Sequence, residues 1–339
     1  SLLKSPTRIS DLVTTAKERG YKALALTDEN VLYGAVEFYN AAKKAGIKPI
    51  FGLRLVVALN ETDGTKLDLV FLAKNQRGYQ HLMDLSTLQQ TRKDKKAPLT
   101  VAQISPLLNE LFIIIPPQST VFSVLAQPTS ILTELANLGD DDSVLLGVNS
   151  RLDDVQIDTL QQLSKQLSLP LVGTSPVDYL NANDLFASRV LQAIDAGVEL
   201  KDPTIEAERR GQHYLHSKEQ VIQDYKAKGL SAAAQKTVEV ATLCNVELQF
   251  RAPVLPHFKN QAGISSQQYL RSLCIQGLKK RRVAPGKTIQ QYQERLAMEL
   301  KIIHEMGFDD YFLIVWDVIN FAHQQKITTD PGRGSAAGS

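Results

Sequence analysis

Along the first 180 residues the apolar positions switch repeatedly between a period near 3.6 and a period of 2, so helices and strands are expected to alternate. Ile9, Leu12, Val13 and Ala16 carry helical spacing over 9–19, with Ser10-Asp11 as the expected N-cap and Gly20 as the stop. Ala23-Leu24-Ala25-Leu26 is a short apolar run ending in Thr27-Asp28-Glu29, and it predicts a buried strand. An amphipathic helix follows over 32–45, closed by Gly46. Residues 50–58 and 67–73 predict strands joined by a hairpin turn at Asp63-Gly64. A helix over 78–90 and a charged linker over 92–96 come next. Strands are then expected over 111–115, 144–148 and 169–174, with a helix over 155–167. Strands spaced by helices imply βαβ units with parallel neighbours, and six or more of them suit an open sheet or a closed barrel equally.

From residue 183 the pattern is mostly helical, with 221–243 dominated by Ala, Lys and Glu. Pro253 and Pro256 punctuate 252–258, the predicted domain boundary. Three helices are expected after it, over 266–282, 289–306 and 312–325. The chain is therefore divided into 1–258 and 259–339. A length of 339 residues fits two domains, or one large and one partial.

Composition narrows the class. With 38 Lys and Arg against 36 Asp and Glu, the formal charge is +2, and 43% of residues are hydrophobic, which excludes a highly charged disordered chain. Cys244 and Cys274 are too few and too far apart for a disulfide framework or a zinc ribbon, which favours a reducing cytosol. No run approaches about 18 apolar residues. The opening Ser1-Leu2-Leu3-Lys4 lacks the shape of a signal peptide, so a soluble cytoplasmic protein with no membrane partner is expected. Charge is uneven: from Arg251 onward 12 Lys and Arg face 7 Asp and Glu, a balance of +5 that leaves −3 for the first 250 residues. This asymmetry points to a polyanion near the C-terminal part. The absence of an opening Met and the final Gly338-Ser339 suggest part of a longer chain.

Chemistry concentrates in a few strings. In Pro331-Gly332-Arg333-Gly334-Ser335-Ala336-Ala337-Gly338-Ser339, small residues let backbone N–H groups approach an anion, Arg333 offers a fork suited to phosphate and Ser335 a hydroxyl. Composition alone allows a surface turn as well; an Arg between glycines favours phosphate. It is not a Walker A loop, because the Gly-Lys-Ser/Thr ending is missing. Lys279-Lys280-Arg281-Arg282 ends a helix with Tyr269, Leu270, Leu273 and Leu278 on its apolar face. These cations suit the helix dipole as a solvated cap, or a nucleic-acid backbone as a contact. Thr27-Asp28-Glu29 closes a strand where α/β enzymes place functional groups; such carboxylates can ligate Mg²⁺ or Mn²⁺, and equally can be ordinary solvated loop residues. The histidines (His81, His213, His216, His257, His304, His323) do not cluster after the strands. His213 and His216 would make an i, i+3 ligand pair only on a helix, which Gly211 and the strand-like Tyr214-Leu215 argue against. No Ser-His-Asp or Cys-His set can be assembled.

Several strings together resemble one family. Ala25-Leu26-Thr27-Asp28, Gly34-Ala35-Val36-Glu37-Phe38-Tyr39, Gly46-Ile47-Lys48-Pro49-Ile50-Phe51-Gly52 and Ala73-Lys74-Asn75 with Gly78-Tyr79 look like the PHP domain of the bacterial DNA polymerase III alpha subunits of DnaE type. Met306-Gly307-Phe308-Asp309-Asp310-Tyr311-Phe312-Leu313-Ile314-Val315-Trp316-Asp317, with 331–339, looks like the start of their palm. The resemblance covers essentially the whole chain and is weakest over 92–165. It implies an α/β fold: a distorted (β/α)₇ barrel over 1–258, then the mainly helical opening of a palm of the polymerase-beta type. It further implies nucleotidyl transfer from a deoxynucleoside triphosphate to a primer 3′ end by the full-length enzyme. Gly332, Arg333, Gly334, Ser335 and Ser339 would hold the triphosphate. The carboxylates for Mg²⁺ would lie past Ser339, leaving no catalytic residue among these 339. Implied partners are primer-template DNA, the nucleotide, and replisome proteins such as the sliding clamp, the clamp loader and a proofreading exonuclease.

The departures from the family pattern fall together. Where metal-binding PHP domains carry an Asp after Ser-Leu-Leu, this chain has Lys4; the His usual after Thr-Asp is Glu29; the Glu usual two residues after Gly52 is Arg54. Asp68 stands where another His is expected, and the usual Asp-Val-His-Tyr reads Pro176-Val177-Asp178-Tyr179. Two cations in such a pocket would repel a divalent ion by several kcal/mol at an effective dielectric of about 20. Lys4 and Arg54 are therefore expected to pair with Glu29, Asp68 or Asp178, with no metal in the PHP domain. The alternatives are a PHP-type metal-dependent phosphoesterase or 3′–5′ exonuclease, and a non-enzymatic replisome scaffold.

Overall fold

The computed structural model describes residues 5–60, 66–95, 97–117, 119, 128–136, 138, 142–206, 213–250, 255–260 and 263–330. Lys4, the Asp63-Gly64 turn and all of 331–339 lie outside them. The chain falls into two compact units, Ser1–Gln249 and Phe250–Ser339, so the break precedes the 258/259 division expected from the prolines.

The first unit opens with α1 (Ile9–Glu18), β1 (Ala23–Glu29), α2 (Ala35–Ala45), β2 (Lys48–Ala58), β3 (Lys66–Ala73) and α3 (Gln76–Gln90). It continues through β4 (Leu99–Thr100), α4 (Val101–Ile104), β5 (Leu111–Ile115), α5 (Pro128–Ala136), β6 (Val144–Val148), α6 (Asp154–Leu167) and β7 (Leu171–Gly173). Helices α7 (Leu185–Ala196), α8 (Pro203–Glu206), α9 (Lys218–Ala227) and α10 (Ser231–Leu243) complete it. The seven strands form one mixed sheet in the order β1-β2-β3-β5-β6-β7, with β4 on β2, and the sheet curves as a half-barrel lined by helices. β1–β2, β5–β6 and β6–β7 are parallel; β2–β3 and β3–β5 are antiparallel. The hairpin reverses β3, so the expected run of parallel neighbours is interrupted on both sides of that strand.

Strand alternation sorts side chains between two faces. One face carries Phe51, Leu53, Leu55 and Val57 of β2 with Leu67, Leu69 and Phe71 of β3, packed in the main core with helix residues Phe38, Leu82 and Leu85. The other carries Ile50, Leu72, Phe112, Ile114, Leu145 and Val172 under Val240 and Cys244 of α10. Farther along β1, β2 and β3, this second face turns from apolar to charged: Glu29, Arg54 and Asp68 keep the parity of Ala23, Ile50 and Leu72. Gly52 lies between the two regions, where a Cβ would come within 2.6 Å of the Leu72 side chain and the Phe71 carbonyl oxygen.

Local signals explain the helix ends. Asn75 caps α3, its side chain accepting from the backbone N–H of Arg77 and Gly78. Capping boxes open α4 at Thr100 and α6 at Asp153. The N-cap expected at Ser10-Asp11 falls instead on Arg8, which is extended and makes no side-chain cap; Leu12 N donates to Arg8 O, so the helix is already formed where Ser10 stands. The second unit holds α11 (Ser266–Lys280), α12 (Ile289–Glu305) and α13 (Asp309–Gln324). Asp310, at the start of α13, accepts from Ser266 Oγ at 2.5 Å and from Phe258 N at 2.9 Å, tying the segment before α11 to α13.

Candidate functional site

The charged end of the second sheet face is the candidate site. Glu29 is the last residue of β1 and sits in register with Arg54 on parallel β2. Arg54 opposes Val70 and Asp68 opposes Val56 across the antiparallel β2–β3 pair, so Arg54 and Asp68 are diagonal neighbours on one face. The Arg54 guanidinium donates from Nε to Asp68 Oδ1 at 2.9 Å and from Nη2 to Asp68 Oδ2 at 2.5 Å, a two-pronged ion pair. The Asp68 side chain is 14% exposed and that of Arg54 43%. The bond to Asp68 raises the guanidinium pKa above its ordinary value, burial works against it, and the charges of Asp68, Glu29 and Asp178 add to the rise.

Asp178, on the segment that follows β7, lies 2.7 Å from His213 Nδ1 through Oδ2. Its backbone is fixed from two sides: its N–H donates to His213 O at 2.8 Å, and Ser5 Oγ donates to its carbonyl. Tyr179 and Tyr214 form a parallel bridge beside this pair. Pro176 is half-buried on the same segment. The structure thus brings Glu29, Arg54, Asp68 and Asp178 into one electrostatic neighbourhood. Sequence reasoning missed His213 as the partner of Asp178, because 35 residues separate them and no spacing signal links them.

The remaining expected sites lie elsewhere. Lys279, Lys280, Arg281 and Arg282 are exposed at the end of α11, and Leu270 is buried on that helix. Gly332, Arg333, Gly334, Ser335 and Ser339 fall outside the described residues. Among the described residues no group of three or more His, Cys, Asp or Glu is placed to hold a metal ion. Among them, too, no helix is long and apolar enough to cross a membrane.

Residues 1–123 match the PHP domain family, and residues 268–339 match the bacterial DNA polymerase III alpha NTPase domain family. The whole chain aligns with DNA polymerase III subunit alpha of Halalkalibacterium halodurans, 36% identical over 346 residues, covering 100% of this chain and 30% of that protein. Over its whole length the chain is similar to part of a DNA polymerase III subunit alpha. The subunits alpha of Bacillus subtilis and Borreliella burgdorferi align with it over 100% of its length at 34% and 31% identity. The chain spans 30% and 31% of the length of these two polymerase III alpha relatives. Among solved structures, an amidohydrolase from Chromobacterium violaceum is a distant likeness, 11% identical with a TM-score of 0.36, covering 52% of this chain and 84% of that one.

Proposed function

We propose that this chain is part of a replicative DNA-directed DNA polymerase whose PHP domain works as a metal-free structural element. The observation that carries the reading is the alignment of every part of the chain with polymerase III alpha subunits. The full-length enzyme transfers a nucleotidyl group from a deoxynucleoside triphosphate to a primer 3′ end in the cytoplasm. Its partners are primer-template DNA and other replisome proteins. Gly332, Arg333, Gly334, Ser335 and Ser339 hold the triphosphate, and Lys279 to Arg282 meet the DNA backbone. Mg²⁺ would supply charge neutralisation at the transferred phosphoryl group, held by carboxylates of the full-length enzyme.

The side chains at the PHP centre do not suit a divalent ion. Both oxygens of Asp68 are engaged by Arg54, and Asp178 Oδ2 faces His213. A divalent ion there would displace the guanidinium or sit against its charge. The Arg54–Asp68 ion pair instead ties β2 to β3.

Primer extension by the full-length enzyme with Mg²⁺ and all four nucleotides tests the first half; failure to extend a primed template overturns it. Titration calorimetry of the 339-residue chain with Mn²⁺ or Zn²⁺ tests the second. No stoichiometric binding is expected, and a bound ion lost on Asp68→Asn substitution overturns the metal-free reading.

A further inference from the structure

We propose that the pocket between α10 and the starts of β5 and β6 is a binding site for a free α-amino acid with an apolar side chain. The pocket has a volume of about 460 Å³, within the roughly 300–1,000 Å³ of small-molecule sites. Strand β3 ends where β5 begins, because the two are antiparallel with Ala73 in register with Leu111. The pocket therefore lies at the opposite end of the sheet from Glu29, Arg54 and Asp68. Its strand wall is pinned by hydrogen bonds: Lys74 N donates to Glu110 O at 3.0 Å, Asn245 N to Lys74 O at 2.6 Å, and Asn75 Nδ2 to Glu110 Oε2 at 2.7 Å. Its other wall is one face of α10, where Lys236, Glu239, Val240 and Leu243 recur at i, i+3, i+4 and i+7.

Charge decides the ligand class. Lys74 and Lys236 line the pocket with Glu110, Asp142 and Glu239, and Lys48 reaches its wall through a 2.9 Å bond from Nζ to Asn245 Oδ1. Three cations thus meet three carboxylates, a balance that matches a neutral molecule with separated charges. Lys236 Nζ donates to Glu239 Oε2 at 2.8 Å, which uses one of its three ammonium donors, and the ligand carboxylate is assigned to it. Lys74 serves the wall instead: its Nζ donates to Ser143 Oγ at 2.5 Å and lies 5.0 Å from the Phe112 ring centroid. Asp142 is exposed and takes the ligand ammonium. Glu110 and Asp142 both hold the left-handed backbone, at φ 61° and 60°, which a β-carbon disfavours. Keeping acidic side chains rather than glycine at both positions marks the rim as a place where charge is retained against strain. Leu243, 58% exposed, and Val240 supply apolar surface for the ligand side chain. An inorganic ion would leave that surface in water, and a nucleotide would set its phosphates against three carboxylates. The site lies within the first unit and stands independently of the triphosphate and DNA contacts proposed above.

Calorimetric titration of the 339-residue chain with L-leucine tests this, beside N-acetyl-leucine, which lacks the ammonium, and leucinamide, which lacks the carboxylate. Leucine is expected to bind with a Kd of roughly 1 mM or tighter, and each blocked form at least about threefold more weakly. Lys236→Gln should weaken leucine about threefold and leave leucinamide unchanged; Asp142→Asn should weaken leucine by as much and leave N-acetyl-leucine unchanged. Asn tolerates the left-handed backbone at position 142, so that variant keeps the fold. No binding of leucine, equal binding of the three probes, or unchanged leucine affinity in either variant overturns the proposal. Should Lys236→Gln fail to fold by circular dichroism, Asp142→Asn and the comparison of the three probes decide.

Discussion

Arg54 and Asp68 face each other diagonally across the β2–β3 hairpin, two donors of one fork meeting two oxygens of one carboxylate at 2.5 and 2.9 Å. Removing one partner strands the other beside like charges. Arg54→Gln leaves Asp68 near Glu29 and Asp178 and is expected to destabilise the chain by about 1–3 kcal/mol, less than a fully buried pair because Arg54 is 43% exposed. The double variant Arg54→Gln with Asp68→Asn should recover much of that loss. Urea midpoints of the four proteins in this cycle measure the coupling; simple additivity would show that the pair contributes nothing.

The second unit should be sensitive to acid through Asp310. Burial pushes its carboxyl upward, but donors from Ser266, Phe258 N–H and His257 together hold it below the ordinary 3.8. A carboxyl depressed in the folded state stabilises it fully above the unfolded pKa, and the contribution is lost as pH falls through the folded pKa. Helix content followed by circular dichroism should therefore fall below about pH 4, with a shallower fall in Asp310→Asn. An identical acid profile in the two proteins would remove Asp310 from the account.

Gly78 is packed too tightly for any side chain. A Cβ there would lie 2.2 Å from the Glu110 carbonyl oxygen, in the first turn of α3, where backbone cannot yield cheaply. Gly78→Ala is expected to cost more than about 2 kcal/mol, against the usual gain from replacing Gly inside a helix. Thermal midpoints of Gly78→Ala and of the open-space control Gly277→Ala separate contact from propensity.

Neither thiol should react readily in the folded protein. Burial raises the Cys244 pKa to about 12 against smaller opposing effects of Lys48 and Lys74, and burial also raises Cys274. Iodoacetamide labelling at pH 8, read by mass spectrometry, should be slow for both and slower for Cys244. Addition of denaturant should bring the two to similar rates.

What could be read from sequence was set by how local each cause is. The run over 50–58 predicted β2, while the helix expected over 78–90 begins two residues earlier, at Gln76 after the Asn75 cap. β4 has two residues and α4 four, too short to show a period. Among the described side chains of α5, Leu132 and Leu135 are buried, a single helical step that no window can separate from chance. The strand expected over 169–174 shrinks to Leu171–Gly173, since Leu169 N instead donates to Ser164 O in closing α6. The unusual residues at 29, 54 and 68 stood out by resemblance, yet their pairing depends on strand register, and that of Asp178 with His213 on a chain return. Neither is written in spacing.

That return has a consequence for how the chain is made. Arg19 Nη1 donates to Leu180 O and to Leu215 O, Tyr21 OH to His216 O, Asn245 N to Lys74 O, and Tyr225 OH to Val148 O. The residues matched by the PHP family end at 123, but several of the bonds that seat them come from beyond 179. A nascent chain must therefore expose about 245 residues before these bonds can close, and such long-range contacts slow folding.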